Sequence, residues 1–175
     1  MKICFATHNE NKLREVKSLL NGFEIVGLND IGQTDEIPED GLTLDENAYK
    51  KAGFVSNKFS INCFADDTGL EVESLDGAPG VFSARYAGEV KDNQANISLL
   101  LQNLEGKSNR KAQFRTVVCL IVDGETKIFE GVAKGEITKT KSGKEGFGYD
   151  PVFFVAEQNC TSAELTKEQK NAVSH

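Results

Sequence analysis

Asp123-Gly124 stands between two long runs that favour strand, Ala112 to Val122 and Thr126 to Lys134. An Asp-Gly pair readily takes the left-handed backbone of a two-residue turn, so the two runs should pair as a β-hairpin. The second run reads as continuing past Gly135 into Ile137-Thr138. Elsewhere the pattern is helical. Leu13, Val16 and Leu20 share one face, with Lys12, Arg14, Glu15 and Lys17 around them, until Asn21-Gly22 ends the helix. Thr43 followed by Glu46 is a capping-box signature, and the stripe Leu44, Ala48, Ala52, Val55 and Phe59 behind it predicts about four helical turns. A third helix is expected over residues 92–104, with Asp92 as cap and Ile97, Leu100, Leu101 and Leu104 inward. Short apolar runs at residues 2–6, 23–28 and 152–155 read as strands. There is no internal repeat, low-complexity tract or linker, so the expectation is one domain, residues 1–175, of mixed α/β type.

A chain of 175 residues is long enough for one well-buried core. Lys plus Arg total 20 against 27 Asp plus Glu, a net charge of -7. That balance argues against a general nucleic-acid binder, which leans on a basic surface. It leaves room for a small polyanion held by a few convergent cations. Cysteines 4, 63, 119 and 160 show no CxxC and no ligand-like spacing, and read as core thiols in a reducing, cytoplasmic compartment. His8 and His175 are the only histidines, which gives zinc little support. No apolar run approaches the roughly 20 residues needed to cross a membrane, so no membrane partner is expected.

Four stretches carry candidate chemistry. The run Ile61 to Ala65 delivers Asp66, Asp67 and Thr68 onto Gly69, read as a glycine turn, after which Leu70-Glu71-Val72 resumes a strand and Glu71 to Leu75 forms a short edge. Adjacent acids repel unless something positive or protic relieves them. Thr7, Asn9 and Lys12 sit where a strand feeds a helix N-terminus, a place for either simple capping or an anion. Asp35, Glu36, Glu39 and Asp40 make an acidic loop around Pro38. Gly143 to Pro151 forms a glycine loop carrying Phe147 and Tyr149, which either stack on a planar ligand or pack back on the core. Gly106-Lys107-Ser108 is no phosphate loop, because Leu101 stands where that motif needs glycine and a helix precedes it. Carboxylates without histidine or paired cysteines favour Mg²⁺ or Mn²⁺. Metal and lysines suit several phosphates, and an aromatic loop suits a base. The residues therefore point to a metal-dependent nucleotide hydrolase.

The chain resembles the inosine triphosphate pyrophosphatase family. The resemblance is carried by residues 5–12 (Phe5-Ala6-Thr7-His8-Asn9-Glu10-Asn11-Lys12), Glu39-Asp40-Gly41-Leu42-Thr43 with Glu46-Asn47-Ala48, and Ala65-Asp66-Asp67-Thr68-Gly69-Leu70. It continues in Gly77-Ala78-Pro79-Gly80-Val81 with Ser83-Ala84-Arg85-Tyr86, in Gly146-Phe147-Gly148-Tyr149-Asp150-Pro151, and in Ala163-Glu164-Leu165 with Lys170 to His175. Blocks in this order span nearly the whole chain.

The resemblance implies an elongated mixed central sheet with helices, two lobes flanking a nucleotide-binding cleft, and a homodimer. It implies Mg²⁺-dependent hydrolysis of ITP, dITP or XTP to the monophosphate and pyrophosphate. By the same resemblance Thr7, His8, Asn9, Glu10, Asn11 and Lys12 hold the triphosphate, with Lys12 as main point charge. Glu39 and Asp67 are metal positions, Asp67 is the general base, and Asp66 is either a further carboxylate for the metal or the orienter of Asp67. Thr68 keeps a hydroxyl for the substrate, Phe147 stacks on the base, and Gly148, Tyr149 and Asp150 shape the pocket. Lys170 and His175 donate to O6 of a 6-keto purine. Glu145 stands where many family members have glycine, and their chains continue past the position of His175 with an arginine and a helix. The alternative to an enzyme is a nucleotide-binding or dimerising protein with little turnover.

Overall fold

Residues 1–166 and 168–170 are described in a computed structural model. The helix expected to run on beyond Lys170, and His175 with it, lies outside the described residues. In chain order the elements are β1 (Lys2–Phe5), α1 (Glu10–Leu19), β2 (Glu24–Val26), α2 (Leu44–Phe59), β3 (Cys63–Val72) and β4 (Pro79–Gly80). They continue with α3 (Asn93–Asn103), β5 (Lys111–Val122), β6 (Glu125–Ile137), β7 (Phe153–Val155) and β8 (Cys160–Thr161). The strands form one open mixed sheet in the order β2-β1-β3-β5-β6-β7-β8, with β4 paired to β3. β1 runs parallel to β2 and β3, whereas β7 is antiparallel to β6 and β8. The expected mixed α/β sheet is therefore present.

Contacts between residues divide the chain into two compact units. One comprises Met1–Asp67 with Val117–Glu130, the other Thr68–Thr116 with the residues from Gly131 on. The first unit is centred on Ile3, Phe5, Leu13, Ile25 and Phe64, with Val16, Val118 and Leu120 against them. The second buries Leu70, Val72, Ile97, Leu100, Leu104, Ile137, Tyr149, Val152 and Phe153 in one cluster. The helical stripes are buried as expected: Leu44, Ala48, Ala52 and Val55 of α2, and Ile97 and Leu100 of α3.

Local chemistry sets most boundaries. Asp123 and Gly124 both take positive φ, 51° and 82°, as the Asp-Gly turn requires, and β6 does run on to Ile137. Asp92 caps α3 by accepting from the N–H groups of Gln94 and Ala95. Thr43 caps α2 through the Glu46 N–H, but Glu46 reaches back to the N–H of Leu42, one residue ahead of the usual capping-box partner.

Not every expectation holds. No glycine turn follows Asp67: β3 is a single strand of 10 residues that carries Asp66, Asp67, Thr68 and Gly69 straight through. The physical reason is strand parity. Successive side chains leave a strand on opposite faces, so adjacent acids separate without a turn. The chain bends only after Val72, where Glu73–Leu75 forms a 3-10 turn in place of the expected edge strand, and Asp76 and Gly77 adopt φ of 52° and 84°. Similarly, Val152 ends a 3-10 turn, and β7 begins at Phe153. Among the described residues no helix is long and apolar enough to cross a membrane.

Candidate active site

In the first unit, parity along β1 and β3 sorts the residues into two sets. Phe5 and Phe64 are register partners and stack with ring centroids 4.5 Å apart, and Leu13 of α1 joins them. Two residues on from Phe64, Asp66 points the same way and meets α1 again: its Oδ2 accepts from Lys12 Nζ at 2.5 Å. Cys4 and Cys63 are partners on the other face, where the Cys63 thiol donates to the carbonyl of Ala52 in α2. Ala65 and then Asp67 follow on that face. Asp67 Oδ2 accepts from the Asn47 carboxamide of α2 at 2.9 Å. The two acids thus serve different helices.

Their electrostatics differ accordingly. Burial works to lower the Lys12 pKa, but the Asp66 carboxylate outweighs it, with Asp67 and Glu39 adding to the effect, so Lys12 is held above its usual value. The Asp67 carboxyl is raised chiefly by burial. Lys51 and the Asn47 hydrogen bond oppose that rise, while the charges of Glu39 and Asp66 reinforce it. Burial wins.

The acidic loop is strapped to α2. Lys51 Nζ meets Glu39 Oε1 at 2.5 Å and Lys50 Nζ meets Asp40 Oδ1 at 2.8 Å. The N–H of Gly41 donates to Asn47 Oδ1 at 2.8 Å, and that of Leu42 donates to Glu46. Among the described residues, no group of three or more His, Cys, Asp or Glu side chains is gathered as a metal cage. The donor chemistry nonetheless fits a hard divalent cation. Glu39, Asp66 and Asp67 offer only oxygen, and Mg²⁺ is commonly held by one or two carboxylates plus substrate phosphates.

At the start of α1, the capping alternative is realised in the side chains. Asn9 Oδ1 accepts from the N–H groups of Asn11 and Lys12, and Thr7 Oγ1 accepts from that of Asn9. His8 donates to the carbonyl of Asp35, Glu10 accepts from Asn29 at 3.5 Å, and Asn11 accepts from Arg14. Within residues 7–12, the Lys12 side chain is hydrogen-bonded to Asp66 of the acidic pair.

In the second unit, Thr68 Oγ1 lies 2.7 Å from the hydroxyl of buried Thr116. The glycine loop splits its aromatics. Phe147 is 47% exposed, with the Lys170 ammonium 4.8 Å from its ring centroid. Tyr149 is buried and donates its hydroxyl to the carbonyl of Ser83 at 2.8 Å, and burial pushes its pKa up. Tyr149 is thus a core residue that anchors the loop. Asp150 is buried too, and its Oδ2 accepts from the N–H of Phe147 and from Lys170 Nζ at 2.6 Å. Gly146, at φ 80°, has no room for a Cβ beside Asp150 Oδ2, which is why glycine stands there.

Reading the sequence missed Asn47, Lys51 and Thr116 as residues near the chemistry. Asn47 carried a signal: it is a carboxamide among the buried residues of an amphipathic helix, where a polar group needs partners. Lys51 and Thr116 carried none, because a lysine on a helix and a threonine in a strand are ordinary.

The fold and its charge pattern define a class: a mixed α/β protein in which lysines of two helices meet carboxylates of a strand and of an acidic loop, suited to a polyanion. Comparison with known proteins narrows it. A model of the Ham1 family matches residues 3–175, and the chain belongs to that family. A curated dITP/XTP pyrophosphatase of Christiangramia forsetii is 49% identical over 176 residues, covering 100% of this chain and 93% of the relative. One from Bacillus subtilis is 46% identical over 175 residues, covering 97% and 88% respectively. The solved structure of the Staphylococcus aureus Ham1 protein superposes with a TM-score of 0.93 at 40% identity, covering 100% of this chain and 92% of that one. The resemblance read from the sequence is borne out.

Proposed function

We propose that this chain hydrolyses non-standard purine nucleoside triphosphates, ITP, dITP and XTP, to the monophosphate and pyrophosphate, and so clears them from the nucleotide pool. It is a nucleoside triphosphate pyrophosphatase, a hydrolase acting on a phosphoanhydride, in keeping with the names of its curated relatives. Those names do not favour the binding-only alternative. The observation that carries the chemistry is Asp67, a carboxyl raised by burial and held by an amide beside Glu39 and Lys51.

In this reading Lys12 and Lys51 neutralise phosphate oxygens, and Asp67 takes a proton from the water that attacks the α-phosphorus. Glu39, Asp67 and Asp66 are the residues that would hold Mg²⁺, with Mn²⁺ as a substitute. Bound there, the metal supplies charge neutralisation of the leaving pyrophosphate. In the second unit Phe147 offers a ring face to the base, and Lys170 donates to a 6-keto oxygen. Adenine presents an amino group at that position, which leaves a donor unpaired and disfavours ATP. The reading also includes a homodimer and a cytoplasmic location.

The test is to incubate the protein with Mg²⁺ and ITP, XTP, dITP, ATP, GTP or dUTP, and to quantify monophosphate and pyrophosphate. Turnover of the first three with little of ATP, lost with EDTA, is expected. Release of orthophosphate without pyrophosphate would sink the proposed bond cleavage. No turnover alongside measurable ITP binding would instead favour the binding protein.

A further inference from the structure

Asn47 is 1% exposed, and both ends of its carboxamide are committed. Oδ1 accepts from the N–H of Gly41 at 2.8 Å, and Nδ2 donates to Asp67 Oδ2 at 2.9 Å. These partners fix the amide's orientation, because a backbone N–H can only donate and an ionised carboxylate can only accept. The loop is shaped around this contact. A Cβ on Gly41 would come within 2.6 Å of Asn47 Oδ1 and 2.9 Å of the Glu46 Cβ, so only glycine lets the loop approach. One turn further along α2, Lys51 binds Glu39 of the same loop. A single side chain therefore links the loop that carries Glu39 to the strand that carries Asp67.

We propose that Asn47 is a positioning residue, whose carboxamide holds Asp67 Oδ2 at a fixed place relative to the acidic loop, so that base and loop keep one geometry through the reaction. This rests on the reading of Asp67 as the base. A buried amide that served packing alone would need partners, but any partners would do. Here the donor end falls on the reacting carboxylate, and the acceptor end falls on the loop bearing a second carboxylate.

Two substitutions separate positioning from folding. Asn47→Asp keeps an oxygen for the Gly41 N–H and removes the donor to Asp67. Asn47→Ser adds no charge and replaces the carboxamide with a hydroxyl too short to span Gly41 and Asp67. Steady-state kinetics with ITP and Mg²⁺ are measured beside the wild type, at a temperature where thermal melting shows each variant folded. Positioning predicts a fall of about 100-fold in kcat for both variants, the size of effect that loss of reacting geometry produces. KM should stay within about threefold of the wild-type value, since binding contacts are untouched. Wild-type kcat in folded Asn47→Ser would overturn the proposal, as would a loss confined to KM. Failure of both variants to fold would also overturn it and make Asn47 a folding residue. An inactive wild type would overturn the reading of the reaction itself, and with it any base for Asn47 to position. Active variants beside an active wild type would overturn the role of Asn47 alone.

Discussion

The two faces of β3 are built from neighbouring residues and do different work. The α1 face carries Phe64 and Asp66, the first stacked on Phe5 and the second paired with Lys12. Its charge is balanced pair by pair. The α2 face carries Cys63, Ala65 and Asp67 over a helix that offers small side chains, one buried amide and Lys51 at the edge. Its carboxylate is met by an amide, and a neutral donor compensates a buried charge less completely than a lysine does. Identical side chains one residue apart thus become an acid paired with a lysine and a desolvated acid held by a neutral amide. Parity, not residue type, makes the difference.

The strongest way to break this comparison is Asp67→Asn. The substitution keeps the shape and a partner for Asn47, so melting temperature should change little. Turnover should fall by about 10³-fold, within the range that a general base contributes. Normal turnover would end the assignment of Asp67 as base.

Phe5→Ala probes what the α1 face does instead. Removing a buried ring from the Phe5-Phe64 stack should cost about 3–5 kcal/mol of stability, read from denaturant unfolding. Turnover of the folded fraction should remain near the wild-type value. An activity loss as deep as that of Asp67→Asn would mean the faces are not separate in function.

Asp66→Asn should sit lower. Lys12 keeps a neutral acceptor, and the pair is partly open to solvent, so the lost interaction is of order 1 kcal/mol. That corresponds to a drop of about tenfold or less in kcat/KM, mostly through KM, because Lys12, proposed to bind phosphate, is what loosens. A larger effect on kcat than that of Asp67→Asn would invert the comparison.

The smallest effect is expected for the thiols. Burial raises Cys4 to about 12 and Cys63 to about 11, and it raises Cys119 as well. A raised pKa means these groups remain neutral thiols at pH 8, and the thiolate is the nucleophile. Iodoacetamide at pH 8 should therefore label half-buried Cys160 ahead of the other three in the native protein. Unfolding in guanidinium should expose all four, as mass spectrometry would show. Early labelling of Cys63 would show that the α2 face is more open than its burial indicates.

How far the sequence could be read depended on the range of the interaction. Asp123-Gly124, the stripes of α2 and α3, and the Asp92 cap are local, so their residues announced them. Gly69 misled because glycine after two acids looks like a turn when only neighbours are considered. Extended backbone was chosen there because Lys12 and Asn47, distant in the chain, stand on the two sides to receive the acids. The glycine loop behaved likewise. Phe147 and Tyr149 are equivalent in composition, and the carbonyl of Ser83 decided that Tyr149 packs inward.

The sequence by itself determined the mixed α/β class, the main elements and the set of candidate charges, because periodicity and turn chemistry act over a few residues. Only the tertiary structure decided which acid is balanced and which is desolvated, and that Asn47 joins one of them to the acidic loop. Those outcomes depend on which face of a strand meets which helix, and that is settled when the core packs.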